Sequence, residues 1–256
     1  MQITTILDKV KYFGLRKLYW TIRNILFSFS ETLIDNGLYL PEKQQALLKR
    51  PISRKLIEYY GGDHGHNLNL SQFFLGFGLI HYAIIRNIRP TNILCIGSRK
   101  GYIPAVLALA CKDNGCGHVD FVDAGYNEDL PSQHWSGIGY WNKVNPSKHF
   151  EKINVSKYVT TYVLTSQSYA KKHPKKTYQY IYIDGDHSFK GVTSDYNLFW
   201  PKLDKSGFMS FHDIIAKGYL DKGLFGVWKL WKVLERKNAI SFSFPSDSGL
   251  GILQKR

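Results

Sequence analysis

The sequence predicts an α/β protein: a doubly wound, mostly parallel sheet of seven strands with a C-terminal antiparallel hairpin, preceded by an N-terminal helical extension. From residue 91 onward, short apolar runs alternate with stretches of helical periodicity, which is the pattern of repeated β/α units. Residues 180–183, YIYI, are apolar or aromatic at consecutive positions, as is typical of a strand covered on both faces. Runs at 240–244 and 250–253 flank the turn-forming segment PSDSG, which predicts the hairpin.

The chain has 256 residues, enough for one large α/β domain with an appendage. We divide it into a helical extension, residues 1–68, and a main domain, residues 69–256. Its 34 Lys and Arg exceed its 20 Asp and Glu, which gives a formal charge of +14. This excess favours anionic partners such as nucleic acid, a phosphorylated substrate or an acidic membrane surface. Because the excess is spread along the chain, a diffusely solvated surface is an equally good interpretation.

Cysteine usage and hydropathy predict the compartment. Cys95, Cys111 and Cys116 are too few for a disulfide framework and lack the spacing of a zinc site, so we expect reduced thiols. The sequence contains no apolar run of about 18 residues that would predict a transmembrane helix. The N-terminus also lacks the apolar core and cleavage site of a secretory signal. We therefore expect a cytoplasmic protein.

Residues 1–35 place apolar side chains at helical spacing with basic residues between them, which predicts one or two amphipathic helices. One hypothesis is peripheral contact with a membrane surface, with Trp20 at the interface. The other, which we favour, is an apolar stripe that packs on the main domain or on a partner chain. The second hypothesis would allow a homo-oligomer.

Helical periodicity resumes at residues 42–60 and is followed by a glycine-rich loop that contains His64 and His66. Two histidines at this spacing could bind a metal, but we favour a flexible loop over the site. Ser71 is expected to cap a helix that runs to Ile85.

A strand, a glycine turn and a helix start follow one another between residues 91 and 111. The apolar run 91–96 leads into Gly97-Ser98-Arg99-Lys100-Gly101 and then into a helix at 103–111. This arrangement lets the backbone amides at a helix start meet a ligand. A second strand ends on Asp123, which is placed to accept hydrogen bonds from ribose hydroxyls. Together the two features predict an adenosine-containing cofactor.

Residues 124–158 form a long stretch without clear periodicity, and we expect an irregular lid or substrate loop there. A third strand follows at residues 159–164.

Titratable side chains follow the fourth and fifth predicted strands. Asp184, Asp186 and His187 come directly after the strand 178–183. A helix predicted at 191–203 and a turn at 204–207 then lead to a strand at 208–211. That strand ends on His212-Asp213. A right-handed crossover places the two strands side by side, with strand ends about 4.8 Å apart. We expect Asp184, His212 and Asp213 to converge, although each pair by itself could merely cap a turn.

Taken together, the element order resembles that of class I S-adenosylmethionine-dependent methyltransferases, with their Rossmann-like fold. The segment IDGDHSFKGVTSDYNLFWPKLDKSGFMSFHD, followed by GVWKLW and SGLGIL, is similar to the macrocin and mycinamicin sugar O-methyltransferase group. The resemblance covers roughly residues 70–256, and residues 1–60 show none.

The resemblance implies a role for individual residues. The methionine part of S-adenosylmethionine would be lined by Gly97, Ser98 and Gly101, and the ribose would be held by Asp123. In metal-using members, an aspartate after the fourth strand and an acidic pair after the fifth bind a divalent ion such as Mg²⁺. The corresponding metal ligands in this chain are Asp184, His212 and Asp213, and the general base would be Asp186 or His187.

Two departures from the family pattern bear on activity: Cys95 stands where an acidic residue is usual, and Arg99 where a glycine is usual. The leading hypothesis is an O-methyltransferase acting on a small hydroxylated metabolite, such as a sugar or glycosylated compound, with metal assistance. The alternative is a catalytically inactive protein of the same fold that serves as a binding or membrane-associated scaffold. A nucleic-acid substrate is disfavoured, because the Asn/Asp-Pro-Pro-aromatic motif of amino-group methylation is absent.

Overall fold

The computed structural model describes residues 51–60, 66, 68, 75–125, 139–217, 225–237 and 240–256. The amphipathic helices predicted at 1–35, with their membrane or assembly role, and the histidine at position 64 lie outside the described residues. The boundary predicted at residue 68 stays a prediction. In the part of the chain that is described, no helix is long and apolar enough to cross a membrane.

The described strands form one sheet in the order β3-β2-β1-β4-β5-β7-β6. Strands β1 to β5 are parallel, and β7 pairs antiparallel with both β5 and β6. The predicted fold class is therefore confirmed, including the C-terminal hairpin. The strands are β1 (Asn92–Ile96), β2 (His118–Asp123), β3 (Val159–Val163), β4 (Tyr178–Ile183), β5 (Leu203–His212), β6 (Ser241–Phe244) and β7 (Leu250–Gln254).

Helices lie before and between these strands. In the described segments they are α1 (Pro51–Tyr60), α2 (Phe77–Ile88), α3 (Tyr102–Asn114), α4 (Tyr140–Lys143), α5 (Pro146–Glu151), α6 (Ser166–Lys172), α7 (Phe189–Phe199) and α8 (Val227–Lys237). Helix α2 begins after Gly76, which has positive φ, and the predicted cap Ser71 lies outside the described residues. The stretch at 140–158 is also more regular than predicted, because Asn145 caps α5 by accepting a hydrogen bond from the backbone N–H of Lys148.

The register between β4 and β5 differs from the prediction at its start. Tyr178 pairs with Leu203, whereas Tyr180 pairs with Phe208, so the predicted turn 204–207 lies within β5 as an excursion from the ladder. Ser206 adopts positive φ there. Beyond the excursion the pairing is regular up to Ile183 and Phe211. The residues that follow these two partners therefore lie at the same edge of the sheet.

Both faces of the sheet are covered, which explains the continuous apolar character of β4. Because successive side chains point to opposite faces, Ile181 and Ile183 join a core formed with α6, α7 and α8. Tyr180 and Tyr182 face the other way, toward His81 of α2, whose ring lies 4.9 Å from that of Tyr182. All four of these β4 side chains are buried.

A buried polar network joins α6 to the sheet near the amino end of β4. The Tyr169 hydroxyl donates to the carboxylate of Asp120 on β2 and lies 2.9 Å from the Tyr178 hydroxyl. Lys176 forms an ion pair with the same carboxylate, whose side chain is only 2% exposed. A buried carboxylate is tolerated here because hydrogen bonds and one cation compensate for its lost hydration.

We expect Tyr169→Phe to lower the free energy of unfolding by about 1–2 kcal/mol, because the Tyr178 hydroxyl loses a partner and Asp120 loses a donor. Tyr162→Phe is the matched control, since Tyr162 packs against the Tyr169 ring without a hydrogen bond to this network. Urea unfolding of both variants checks the prediction. Equal losses in the two variants would contradict it.

Candidate active site

The ends of β4 and β5 bring together the three side chains predicted to converge. His212 Nδ1 lies 3.1 Å from Asp184 Oδ1 and 3.4 Å from Asp213 Oδ1. Asp213 can turn back toward the cluster because its backbone adopts positive φ, which aspartate tolerates better than most residues. The predicted juxtaposition of Asp184, His212 and Asp213 is therefore present.

His187, a candidate base, lies between the two carboxylates. Its Nε2 is 3.2 Å from Asp184 Oδ1, and its Nδ1 is 2.6 Å from Asp213 Oδ2. The His187 carbonyl accepts a hydrogen bond from the N–H of Gly226, which holds the β4–α7 connection against the start of α8. Both ring nitrogens thus face a carboxylate oxygen, so the ring is well placed to carry two protons.

The pKa values of this cluster shift so that its charges balance. Burial by itself would raise the pKa of both carboxyl groups. His212 and His187 instead hold the pKa of Asp184 well below its ordinary value and lower that of Asp213. Burial also opposes charge on the imidazoles, but Asp213 and Asp184 raise the pKa of His187 to about 10 and that of His212 to about 9. At neutral pH the cluster holds two carboxylates and two imidazolium ions.

Asp186, the other candidate base, does not contact these side chains in the structure. Its side chain is exposed, and Oδ1 accepts a hydrogen bond from the N–H of Ser188 at 2.8 Å. That contact shapes the turn before α7, where the Ser188 hydroxyl in turn accepts from the N–H of Gly191. The base assignment for Asp186 and His187 stays a prediction.

A third imidazole, which the sequence analysis considered as a metal ligand but set aside in favour of a flexible loop, also lies here. His66 is 2% exposed, and its Nε2 lies 3.6 Å from Asp184 Oδ2. Among the residues that the structure describes, two groups of side chains have the spacing of metal ligands: His66, Asp184 and His212 form one, and Asp184, His187 and Asp213 form the other. The pair of histidines at positions 64 and 66 was the available signal, but no local pattern shows that His66 would lie against Asp184.

The glycine turn after β1 is in direct contact with this cluster. Gly97 has φ +68°, and a Cβ atom there would lie 2.1 Å from the carbonyl oxygen of Asp184. Only glycine permits this approach of two strand ends. Ser98 is fully buried, and its hydroxyl accepts from the N–H of Ile103 in the first turn of α3. The predicted cofactor turn and the predicted metal ligands therefore adjoin each other.

Gly101, whose predicted cofactor role stays a prediction, lies against an aromatic side chain. It has φ +90°, and a Cβ atom there would lie 2.8 Å from the Trp141 ring. The Trp141 indole N–H donates to the carbonyl of Arg99 at 2.9 Å, so the indole is fixed over the turn. Trp141 also stacks on Phe150, with ring centroids 5.6 Å apart. Gly101 therefore makes room for an aromatic side chain from the β2–β3 connection.

Two further side chains complete the environment of the turn. Burial raises the pKa of the Cys95 thiol well above its ordinary value, so the residue in place of the usual acid is neutral. The thiol lies 3.4 Å from the carbonyl of Gly97. Burial also raises the pKa of Asp123 to about 6, against the opposing effect of the N–H of Gly125, which donates to its Oδ1 at 2.9 Å.

Comparisons with known proteins identify a similar family and a shared fold. Residues 94–214 match a family model described as a methyltransferase domain. No curated protein matches the sequence.

Solved structures share the fold at low sequence identity. An O-methyltransferase from Bacillus cereus in complex with SAH is 12% identical to this chain, with a TM-score of 0.52. The alignment covers 89% of this chain and 97% of the Bacillus chain. TomG from Streptomyces achromogenes, involved in tomaymycin synthesis and solved with SAM, is 11% identical, with coverage of 89% and 96% and a TM-score of 0.54. SAH-bound PaMTH1 from Podospora anserina is 13% identical, with coverage of 86% and 99% and a TM-score of 0.55. At these identities the similarity establishes the fold.

We expect Gly101→Ala to destabilise the protein more than Gly115→Ala. Both glycines have positive φ, where an alanine costs about 1–2 kcal/mol. Nothing lies within 4 Å of a Cβ atom at Gly115, whereas at Gly101 the Trp141 ring must move, which adds about 1–3 kcal/mol. Urea unfolding measures both variants. Equal losses would show that Trp141 is not held against the turn.

Proposed function

From the premise that this chain is a class I S-adenosylmethionine-dependent methyltransferase, we propose that it methylates a hydroxyl group of a small metabolite, such as a sugar or glycosylated compound, with the help of a divalent cation. The observation that carries the proposal is the contact between Gly97 and the Asp184 carbonyl. Through this contact the glycine turn and the carboxylate cluster lie at one edge of the sheet. A methyl donor in the turn and a hydroxyl at the cluster would be held side by side, which is the main requirement for in-line transfer.

The cofactor would be bound by Gly97, Ser98 and Gly101 on its methionine side and by Asp123 at the ribose. Support comes from the positive φ of both glycines, from the position of the turn at the start of α3, and from the partly buried carboxylate at the end of β2. Arg99 departs from the family pattern, and its side chain is exposed. The fold relatives named above were solved with SAM or SAH.

The side chains at the ends of β4 and β5 fit a divalent cation. Asp184 and Asp213 supply two buried negative charges, and His212 supplies an imidazole nitrogen 3.1 Å from the Asp184 carboxylate. These donor types suit Mn²⁺ and related ions, whereas Mg²⁺ prefers oxygen ligands throughout. A bound cation would supply Lewis-acid chemistry by lowering the pKa of a coordinated hydroxyl.

The chain's own groups would orient the hydroxyl and manage its proton. His187 is held between Asp184 and Asp213 and is an imidazolium ion at neutral pH. It can therefore act as a base only after it has released one of its two ring protons. Asp186 is exposed at the same edge of the sheet and needs only to release the N–H of Ser188. We keep both as candidates for the base. Trp141 and Phe150 cover the outer side of the glycine turn and would help to exclude water.

We expect the affinity for S-adenosylmethionine to fall about tenfold between pH 8 and pH 5. Ribose hydroxyls donate to the ionised carboxylate of Asp123, whose pKa is about 6, so a proton competes with the cofactor below that pH. Asp123→Asn should weaken binding roughly ten- to hundredfold and remove this pH dependence. Calorimetric titration of both proteins provides the measurement. If the unmutated protein binds no cofactor at any pH, the assignment fails, and an unchanged pH slope in the variant would exclude Asp123.

We expect chelation, or the substitution Asp184→Asn, to reduce methyl transfer to a panel of hydroxylated compounds about hundredfold or more. Either change removes the proposed cation, whose positive charge would stabilise the attacking oxygen. Formation of S-adenosylhomocysteine is the readout. Asp113→Asn is the matched control, since Asp113 lies at the far end of α3 and contacts Tyr82. Asp186→Asn and His187→Ala identify the base. Activity that survives both chelation and Asp184→Asn would remove this cluster from the mechanism.

A further inference from the structure

His66 reaches the candidate metal ligands from outside the segment that matches the family model, which begins at residue 94. It is 2% exposed and lies beside His212, with ring centroids 4.4 Å apart. Its Nε2 is 3.6 Å from Asp184 Oδ2, while His212 Nδ1 is 3.1 Å from Asp184 Oδ1. Asp184 Oδ2 thus faces His66, and Oδ1 faces both His212 and His187.

The other nitrogen of each imidazole lies near a hydroxyl group. His66 Nδ1 lies 3.5 Å from the Tyr182 hydroxyl, which itself donates to Asp184 Oδ2 at 3.2 Å. His212 Nε2 lies 2.9 Å from the Ser248 hydroxyl. Histidines that bind metals use one nitrogen for the ion and the other for a hydrogen bond that fixes the tautomer and the ring orientation. Both His66 and His212 meet this description, with their inner nitrogens directed at the same carboxylate.

The spacing of the donor atoms also suits one ion. The ligand atoms of His66, Asp184 and His212 all lie within 4.8 Å of one another. Nitrogen and oxygen ligands at bond lengths of about 2.1 Å lie about 3.0–3.4 Å apart in right-angled or tetrahedral arrangements. The observed separations, 3.1 Å from His212 to Asp184 Oδ1 and 3.6 Å from His66 to Asp184 Oδ2, are close to these values for a carboxylate that offers both oxygens to the ion.

We propose that His66, Asp184 and His212 form a two-histidine, one-carboxylate site that selects a first-row transition ion such as Mn²⁺, Fe²⁺, Co²⁺ or Zn²⁺ over Mg²⁺. Imidazole nitrogens suit these ions, and two imidazoles on three positions disfavour Mg²⁺, which binds oxygen and keeps its waters. Asp213 remains paired with His187 and balances charge beside the site. The inference rests on the proposed function for its biological setting, since it names the metal that the methyltransferase would use.

The test uses the full chain, stripped of metal and titrated separately with Mn²⁺, Co²⁺ and Mg²⁺ by calorimetry. Visible absorption of Co²⁺ and the paramagnetic resonance of Mn²⁺ report nitrogen ligation. We expect Mn²⁺ and Co²⁺ to bind at least about tenfold more tightly than Mg²⁺, and His66→Ala to weaken them roughly hundredfold while changing Mg²⁺ binding little. His118→Ala is the matched control and should leave all three affinities unchanged. His118 lies at the start of β2 and contacts Thr160 of β3.

Equal affinities for Mg²⁺ and Mn²⁺, or transition-ion binding that is unaffected by His66→Ala, would overturn the proposal. Circular dichroism checks that the variant is folded. If His66→Ala does not fold, His66→Gln replaces it, and loss of the Co²⁺ absorption band remains the criterion. Because no readout requires methyl transfer, failure of the metal site and failure of the proposed function are distinguishable. A protein that binds Mn²⁺ through His66 yet methylates nothing would contradict only the latter.

Discussion

Two carboxylates buried at neighbouring strand ends set the central constraint on this molecule. Removing Asp184 and Asp213 from water costs several kcal/mol each unless positive charge compensates. In the structure, the compensation comes from His187 and His212, whose pKa values rise accordingly. A divalent cation with neutral imidazoles would provide the same charge. The need for two positive charges at one point thus explains why several histidines gather there, and it connects the stability of the fold with its chemistry.

The sheet register creates this constraint. Strands β4 and β5 are parallel and end together, so their following residues cannot avoid one another. The excursion at 204–207 contains the extra residues of β5, and regular pairing begins after it at Tyr180 and Phe208. If regular pairing continued from Tyr178 and Leu203 without the excursion, Tyr180 would pair with Lys205, and His212 would lie three residues beyond the partner of Asp184. An irregularity at one end of the sheet therefore determines the geometry of the site at the other.

The glycine turn depends on the same edge. Gly97 accepts close contact with the Asp184 carbonyl because it lacks a side chain, and Gly101 accepts the Trp141 ring for the same reason. The two glycines thus connect the turn to the candidate metal ligands on one side and to an aromatic cover on the other. Such contacts place the candidate cofactor site and the candidate cation site within one rigid framework, and sites built on strand ends and helix starts hold their geometry better than sites on loops.

The sequence by itself determined the alternation of strands and helices, the buried character of β4, the hairpin, and the positions of Asp123, Asp184, His212 and Asp213 at strand ends. These features depend on periodicity and local turn chemistry, which are encoded within a few residues. It could not reveal that His66, 118 residues before Asp184, would lie against it, nor that Ser248 would contact His212. It also misjudged the start of β5, because pairing with β4 and not local propensity extends that strand through a turn-like segment. Tertiary structure alone decided these points, since contacts between distant segments depend on how the whole chain packs.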